Sequence, residues 1–171
     1  GLDCLWVCTS AGLATYRDGQ WATFSEADGL PTAFVWRITS LSMPDGSQEL
    51  VVSTQKGFAR LRGNRWEPWD PVPGLEEGQR GTIRWMNDGD VWCLWFSAWG
   101  RGLVRWDGQK ATIFNPDNGF PSYYPTCFTS TLEPGNRTVI WVGTYDKGLL
   151  RYEAGKWWPV SHGRDMPTRG V

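Results

Sequence analysis

Short apolar runs recur along this chain, each followed by a glycine and a segment that alternates apolar with polar residues. LWVCTSAGLATY (5–16), LVVSTQKGFARL (50–61), LWFSAWGRGLVRW (94–106) and IWVGTYDKGLLRY (140–152) align on one pattern. The shared glycine falls at Gly12, Gly57, Gly102 and Gly148, in steps of 45, 45 and 46 residues. The residue that closes the segment, Tyr16, Leu61, Trp106 and Tyr152, keeps the same steps. Two further glycine series follow at Gly19, Gly63, Gly108 and Gly155, and at Gly29, Gly74, Gly119 and Gly163. Series that share one period define an internal repeat, with units at 5–49, 50–93, 94–139 and 140–171.

Each unit predicts four strands. The run L-W-V-x-T lacks polar alternation, as a strand buried on both faces does. A tight glycine turn leads to a second, alternating strand such as GLATY or GLLRY. Turns such as Asp18-Gly19-Gln20 and Asp107-Gly108-Gln109 then open a short third strand, at 21–24, 66–69, 111–114 and 157–160. A longer loop carrying Gly-Leu-Pro or its equivalent precedes the fourth strand, at 35–41, 82–86 and 126–132. Four antiparallel strands every 45 residues are the pattern of a β-propeller blade. The fold class is therefore all-β, about four blades in one propeller domain or propeller fragment over 1–171. Helix is disfavoured: the longest stretch without Gly or Pro, Thr32 to Met43, is 12 residues of mainly β-branched and aromatic character. Trp6, Val51, Trp95 and Trp141 should build the layers between blades. Two residues further on, Cys8, Ser53, Ser97 and Gly143 are all small.

Composition sharpens this picture. The 171 residues hold 13 Trp, 5 Tyr and 7 Phe, too aromatic for a disordered chain. Seventeen Lys and Arg against 18 Asp and Glu leave a net charge of −1, no electrostatic footprint for nucleic acid or an anionic membrane. No apolar run approaches the length of a membrane span, and the opening GLDCLWVC is not a signal peptide. Cys4, Cys8, Cys93 and Cys127 form no CxxC, and Cys4 and Cys8 stand too far apart in a strand to bridge; all four read as free, buried thiols.

Catalytic chemistry does not assemble. The single histidine, His162, lies in a Gly-rich loop, and G-x-S-x-G, Walker and H-E-x-x-H motifs are missing from the sequence. Glu76-Glu77 reads as a solvated pair, and Asp88 and Asp90 as turn residues rather than a calcium loop. Asn136-Arg137-Thr138 matches a glycosylation sequon but reads as a turn. The expectation is a protein without catalytic residues, metal or cofactor.

The motifs LWVCTSAGLATY, IWVGTYDKGLLRY and DGLPTAFVWRI resemble the two-component-regulator propeller repeat, with its L-W-[IV]-G-T-x-x-G-L-x-R-Y core and G-L-P-x-x-x-V-x-x-I opening. The second unit departs from it at Val51 and Leu61, and the third carries an insertion around Trp99-Gly100-Arg101. The resemblance implies the extracytoplasmic sensor region of a bacterial hybrid histidine kinase or related signalling protein, hence a periplasmic or extracellular location. In such regions propellers sense ligands, often sugars, or mediate dimerisation. It also implies a register in which the strand after Gly-Leu-Pro is innermost. The chain would then open on the second strand of a blade, hold three complete blades, and reach Arg169-Gly170-Val171 where a new inner strand would begin. Four such units close by themselves, belong to a larger ring, or are completed by a second copy.

Candidate ligand residues sit on the loops of one propeller face. Trp99 and Arg101, then Tyr145, Asp146 and Lys147, occupy hairpin turns of the third and fourth units. Tyr123 and Tyr124 follow Gly-Phe-Pro, and Trp36 and Trp85 lie near the starts of inner strands. The matching turns of the first two units are plain, Ser10-Ala11 and Gln55-Lys56. Flat aromatics beside Arg, Asp and Lys suit a sugar ring or another polar small molecule. The competing expectations are a scaffold for protein–protein or self-association and a propeller enzyme acting on glycans.

Overall fold

The computed structural model describes residues 4–72, 75, 80–88 and 91–160. His162, Gly163, Gly74, Glu76, Glu77, Asp90 and the predicted closing segment Arg169-Gly170-Val171 lie outside the described residues. Fifteen strands form four antiparallel sheets among the described residues, and only two 3-10 turns interrupt them. The fold is all-β and built of propeller-type blades.

The chain divides into two compact units, Gly1–Gly81 and Thr82–Val171. In the first, β1 (Leu5–Thr9), β2 (Gly12–Arg17) and β3 (Gln20–Phe24) make a three-stranded sheet. β4 (Val35–Ser42), β5 (Gln48–Thr54), β6 (Gly57–Arg62) and β7 (Arg65–Trp69) make a four-stranded one. In the second unit, β8 (Arg80–Asn87, beginning two residues before the boundary), β9 (Trp92–Ala98), β10 (Gly102–Trp106) and β11 (Ala111–Phe114) form the third sheet. The fourth holds β12 (Pro125–Glu133), β13 (Arg137–Thr144), β14 (Gly148–Glu153) and β15 (Lys156–Pro159). The strand order is sequential in every sheet, so each is a meander of hairpins. The short first sheet has the composition the register predicts.

The hairpin turns have one chemistry. The hydroxyl of Thr9 donates to the Gly12 carbonyl at 2.8 Å and accepts from the Ala11 N–H at 3.0 Å. Thr54 does the same with Gly57 and Lys56, and Thr144 with Gly148 and Lys147. The third unit has Ala98 here and lacks the hydroxyl, while the equally long turn of the fourth unit keeps it.

Aromatic layers hold neighbouring sheets together within each unit. In the first, Trp6 stacks on Phe24 at 5.7 Å and both meet the edge of Trp66, which is fully buried. In the second, Trp95 lies flat on Phe114 at 5.5 Å and 3°, and the pair receives Tyr152 and Trp157. Trp95 and Phe114 repeat Trp6 and Phe24 one residue for one, so the predicted layers are real. Burying an aromatic side chain contributes about 1.5–3 kcal/mol in transfer alone. Val51 is fully buried, while Trp141 stays half-buried. The small residue two places on is a packing requirement: a Cβ on Gly143 would stand 2.9 Å from Cys127 Sγ.

The thiols are all free. Three of the four depart from the expectation of burial. Cys93 is fully buried, whereas Cys4 and Cys8 are half-buried and Cys127, which follows the bulge at the start of β12, is exposed. No helix among the described residues is long and apolar enough to cross a membrane.

Candidate ligand-binding ledge

The loop between β11 and β12 is built from its sequence outward. Asn115 caps the 3-10 turn Pro116–Asn118, accepting from the Asp117 N–H at 3.0 Å, while Asn118 Oδ1 accepts from the Asn115 N–H at 2.9 Å. Gly119 adopts φ +95°, which turns the chain so that Phe120 enters the core, 4.6 Å from Trp157. Two residues on, Ser122 is also buried. Its hydroxyl accepts from the Tyr124 N–H at 2.9 Å and donates to Asp146 Oδ1 at 2.5 Å.

Two backbone bonds then stitch this loop to both neighbouring hairpin turns. The Gly100 N–H donates to the Tyr123 carbonyl at 3.0 Å, and the Tyr145 N–H to the Tyr124 carbonyl at 2.9 Å. Three rings converge as a result. Trp99 stands 5.0 Å from Tyr124 and 5.7 Å from Tyr145, tilted by 55° and 66°. All three are exposed, Tyr145 most of all, so the rings make an open ledge rather than an enclosed cage. Such rings offer π-faces and a hydroxylated rim with the backbone already ordered.

The remaining predicted residues distribute around this ledge unevenly. Tyr123 is half-buried, and its hydroxyl donates to Asp117 at 3.4 Å; burial, then the Asp117 charge, raises its pKa above the ordinary tyrosine value. The Arg101 N–H closes its turn onto the Ala98 carbonyl, and that of Lys147 onto Thr144. Trp36 belongs to the other unit, at a bulge in β4, where its exposed ring stands 4.5 Å from Phe34. Trp85 is a half-buried residue of β8 whose indole N–H finds no partner among the described residues.

Sequence reasoning missed Ser122, the residue that ties Asp146 to the loop. The signal was present: Thr32 and Ser122 occupy the same place after Gly-x-Pro, and the Phe34 N–H reaches the Thr32 hydroxyl at 3.5 Å as Tyr124 reaches Ser122.

Asp88 is also more than a turn residue. Its carboxylate accepts from Arg105 Nε at 2.5 Å and Nη2 at 3.2 Å, and from the Cys93 thiol at 3.5 Å. Both members of the pair are largely buried, and the hydrogen bonds to Asp88 raise the Arg105 pKa. Burial first, and the Asp88 charge second, push the Cys93 thiol up to about 12, far from reactive thiolate. No cluster of three or more metal-ligating side chains occurs among the described residues. A cavity of about 440 Å³ in the first unit, lined by Lys56, Phe58, Trp69, Asp70 and Arg80, contains none of the predicted ligand residues.

No family model and no curated protein matches the sequence. Solved structures do. The chain is similar to the extracellular domain of the hybrid two component system BT3049 from B. thetaiotaomicron, with a TM-score of 0.67 and 22% identity. That match covers 91% of this chain and 21% of the other. Two structures of the extracellular domain of the BT4673 system of the same organism match with TM-scores of 0.67 and 0.65, at 18% and 17% identity. Each covers 99% of this chain, which thus spans less than a quarter of the domains it matches. What these structures share with the chain is the fold, and it is the fold the repeat motifs implied.

Proposed function

We propose that this chain is a non-catalytic, ligand-sensing segment of an extracellular receptor, and that its recognition surface is the Trp99–Tyr124–Tyr145 ledge. The observation that carries the reading is the convergence of three exposed rings on a backbone that two hydrogen bonds and the buried Ser122 hold in place. A binding surface for a flat polar ligand requires such order before the ligand arrives. The structural neighbours are extracellular domains of signalling systems, which supports the sensing role and an extracellular location. The ligand class that suits the ledge is a carbohydrate: a sugar ring stacks on Trp99 or Tyr145, and Asp146, Lys147 and Arg101 hydrogen-bond its edge. Asp146 acts by position, because one of its oxygens is engaged by Ser122.

Calorimetric titration with a panel of neutral and acidic oligosaccharides tests this. A saturable heat that disappears in Tyr124→Ala and Trp99→Ala, with the fold intact by circular dichroism, is the expected result. Binding that survives both substitutions places the site elsewhere. A protein–protein scaffold is the second reading, favoured by the exposed Tyr16 and Trp21 on the first sheet.

A further inference from the structure

The junction of the third and fourth sheets leaves an open cavity of about 350 Å³ within the second unit. Asp88, Arg105, Thr112 and Phe114 line it from the third sheet, Thr138 and Tyr152 from the fourth. By repeat register, Thr15, Ala22 and Leu61 of the first unit stand where Arg105, Thr112 and Tyr152 stand here. In the first unit Leu61 packs on the apolar core and Thr15 is buried. The second unit therefore carries a charge and two added hydroxyls at positions where the same frame accepts Thr, Ala and Leu. Repeat scaffolds vary where they recognise and stay constant where they pack.

Three side chains on this cavity present hydroxyls that the fold does not use. Thr112, Thr138 and Tyr152 are half-buried, and none of their hydroxyls has a hydrogen-bond partner among the described residues. The hairpin threonines Thr9, Thr54 and Thr144, by contrast, each donate one bond and accept another. Asp88 brings a charge to the same wall, with its side chain only 7% exposed. Arg105 is shared between Asp88 and Asp107, whose carboxylate lies 3.5 Å from Nη1, so these three groups sum to one negative charge. The sign reaches the cavity: after burial, the Asp88 charge raises the Tyr152 pKa more than Arg105 lowers it.

A protonated primary amine matches this lining. It carries one positive charge and three N–H donors, against one carboxylate and three hydroxyl oxygens that can accept. An anion meets a field of its own sign, and a neutral alcohol gains nothing from the charge. The Phe114 and Tyr152 rings, 5.5 Å apart, offer an apolar body contact and attract a cation. We propose that the cavity binds a small primary amine with a body of about one ring, its ammonium held by Asp88 and the hydroxyls of Thr112, Thr138 and Tyr152. The site shares no residue with the Trp99–Tyr124–Tyr145 ledge and is independent of the ledge's ligand.

The test is a titration of the full chain followed by amide and indole NMR shifts, with three probes of one shape: benzylamine, benzyl alcohol and benzoate. Benzylamine should give saturable shifts at 112, 138 and 152. Benzyl alcohol should bind about tenfold more weakly or worse, and benzoate weaker still. Tyr152→Phe keeps the ring and Thr112→Val keeps the shape, so both should fold; each should weaken benzylamine on the order of threefold or more. Trp99→Ala should leave benzylamine binding unchanged. The absence of saturable shifts with benzylamine overturns the proposal. So does benzyl alcohol binding as tightly as the amine, or binding that neither hydroxyl-deleting variant weakens. Shifts centred on 99, 124 and 145 would assign the amine to the ledge and overturn it as well.

Discussion

The two units build the same loop and decorate it differently. In the first, Ser25 caps a 3-10 turn, Gly29 reverses the chain, Leu30 is buried, and the Phe34 carbonyl accepts from the Gln55 N–H. In the second, Asn115, Gly119, Phe120 and Tyr124 repeat those steps, and the Tyr124 carbonyl accepts from the Tyr145 N–H. The frame is set by caps, glycines and a buried apolar residue. The difference lies in what the frame displays: Ser10-Ala11 and Gln55-Lys56 on one unit, Trp99 and Tyr145-Asp146 on the other. Only Ser122, not Thr32, holds an acidic side chain of the adjacent turn. A repeat scaffold can thus keep its energetics in the frame and place its recognition in a few turns.

The comparison breaks most severely if a layer is removed. Trp95→Ala empties a fully buried site against Phe114 and Tyr152, and urea unfolding should show a loss of about 3–5 kcal/mol. Trp66→Ala should cost a similar amount in the first unit, because the layers are equivalent. A loss confined to one unit would show that the layers carry unequal weight.

Next in size are the glycines of the frame. A Cβ on Gly29 would fall 1.8 Å from the Trp66 carbonyl oxygen, and one on Gly102 2.0 Å from that of Phe114, both at positive φ. Gly29→Ala and Gly102→Ala should each destabilise by roughly 1–3 kcal/mol or more, whereas Gly19→Ala meets open space and carries only the backbone strain. Thermal denaturation of the three variants ranks them.

Ser122→Ala and Thr32→Ala sharpen the contrast further. Ser122→Ala leaves Asp146 and the Tyr124 N–H without their buried partner and should cost about 1–2 kcal/mol. Thr32→Ala should cost less, because its bond to Phe34 is long at 3.5 Å. Equal losses would mean that Ser122 serves the loop alone and not the ledge.

The last contrast is a pH dependence that is strongest in the second unit, although burial raises the Cys8 thiol of the first unit too. The Cys93 thiol is raised from 9.0 to about 12 in the folded chain, and burial also raises Tyr152. The folded state therefore holds protons that the unfolded chain releases. Stability is intact below pH 9 and falls as pH rises from about 9 toward 12. Cys93→Ala should flatten that decline in a stability–pH curve; an unchanged curve would place the titration in other groups.

Most of the frame was legible in the sequence because glycine and tryptophan positions encode turns and layers directly. The third strand of the third unit, 111–114, is found at Ala111–Phe114, and the fourth strand predicted at 35–41 runs Val35–Ser42. The two 3-10 turns were not read, although Ser25 with Asp28 and Asn115 with Asn118 form capping pairs three residues apart. The site was legible in part. Trp99, Tyr124 and Tyr145 lie on loops that the repeat register brings together, so their convergence followed from alignment. The Asp88–Arg105 pair did not, since an ion pair across 17 residues depends on where a turn aims its side chain. Trp36 and Trp85 were chosen by their place near the starts of strands; Trp36 stands at a bulge in β4 and Trp85 is half-buried in β8.

Hydrogen–deuterium exchange on adding a saturating oligosaccharide, chosen from the calorimetric panel, tests the central claim most directly. The account predicts new protection at 98–101, 122–124 and 144–148, with 9–12, 33–36 and 54–57 unchanged although their frame is the same. Protection centred on the first unit's turns, or none in the second's, would contradict it.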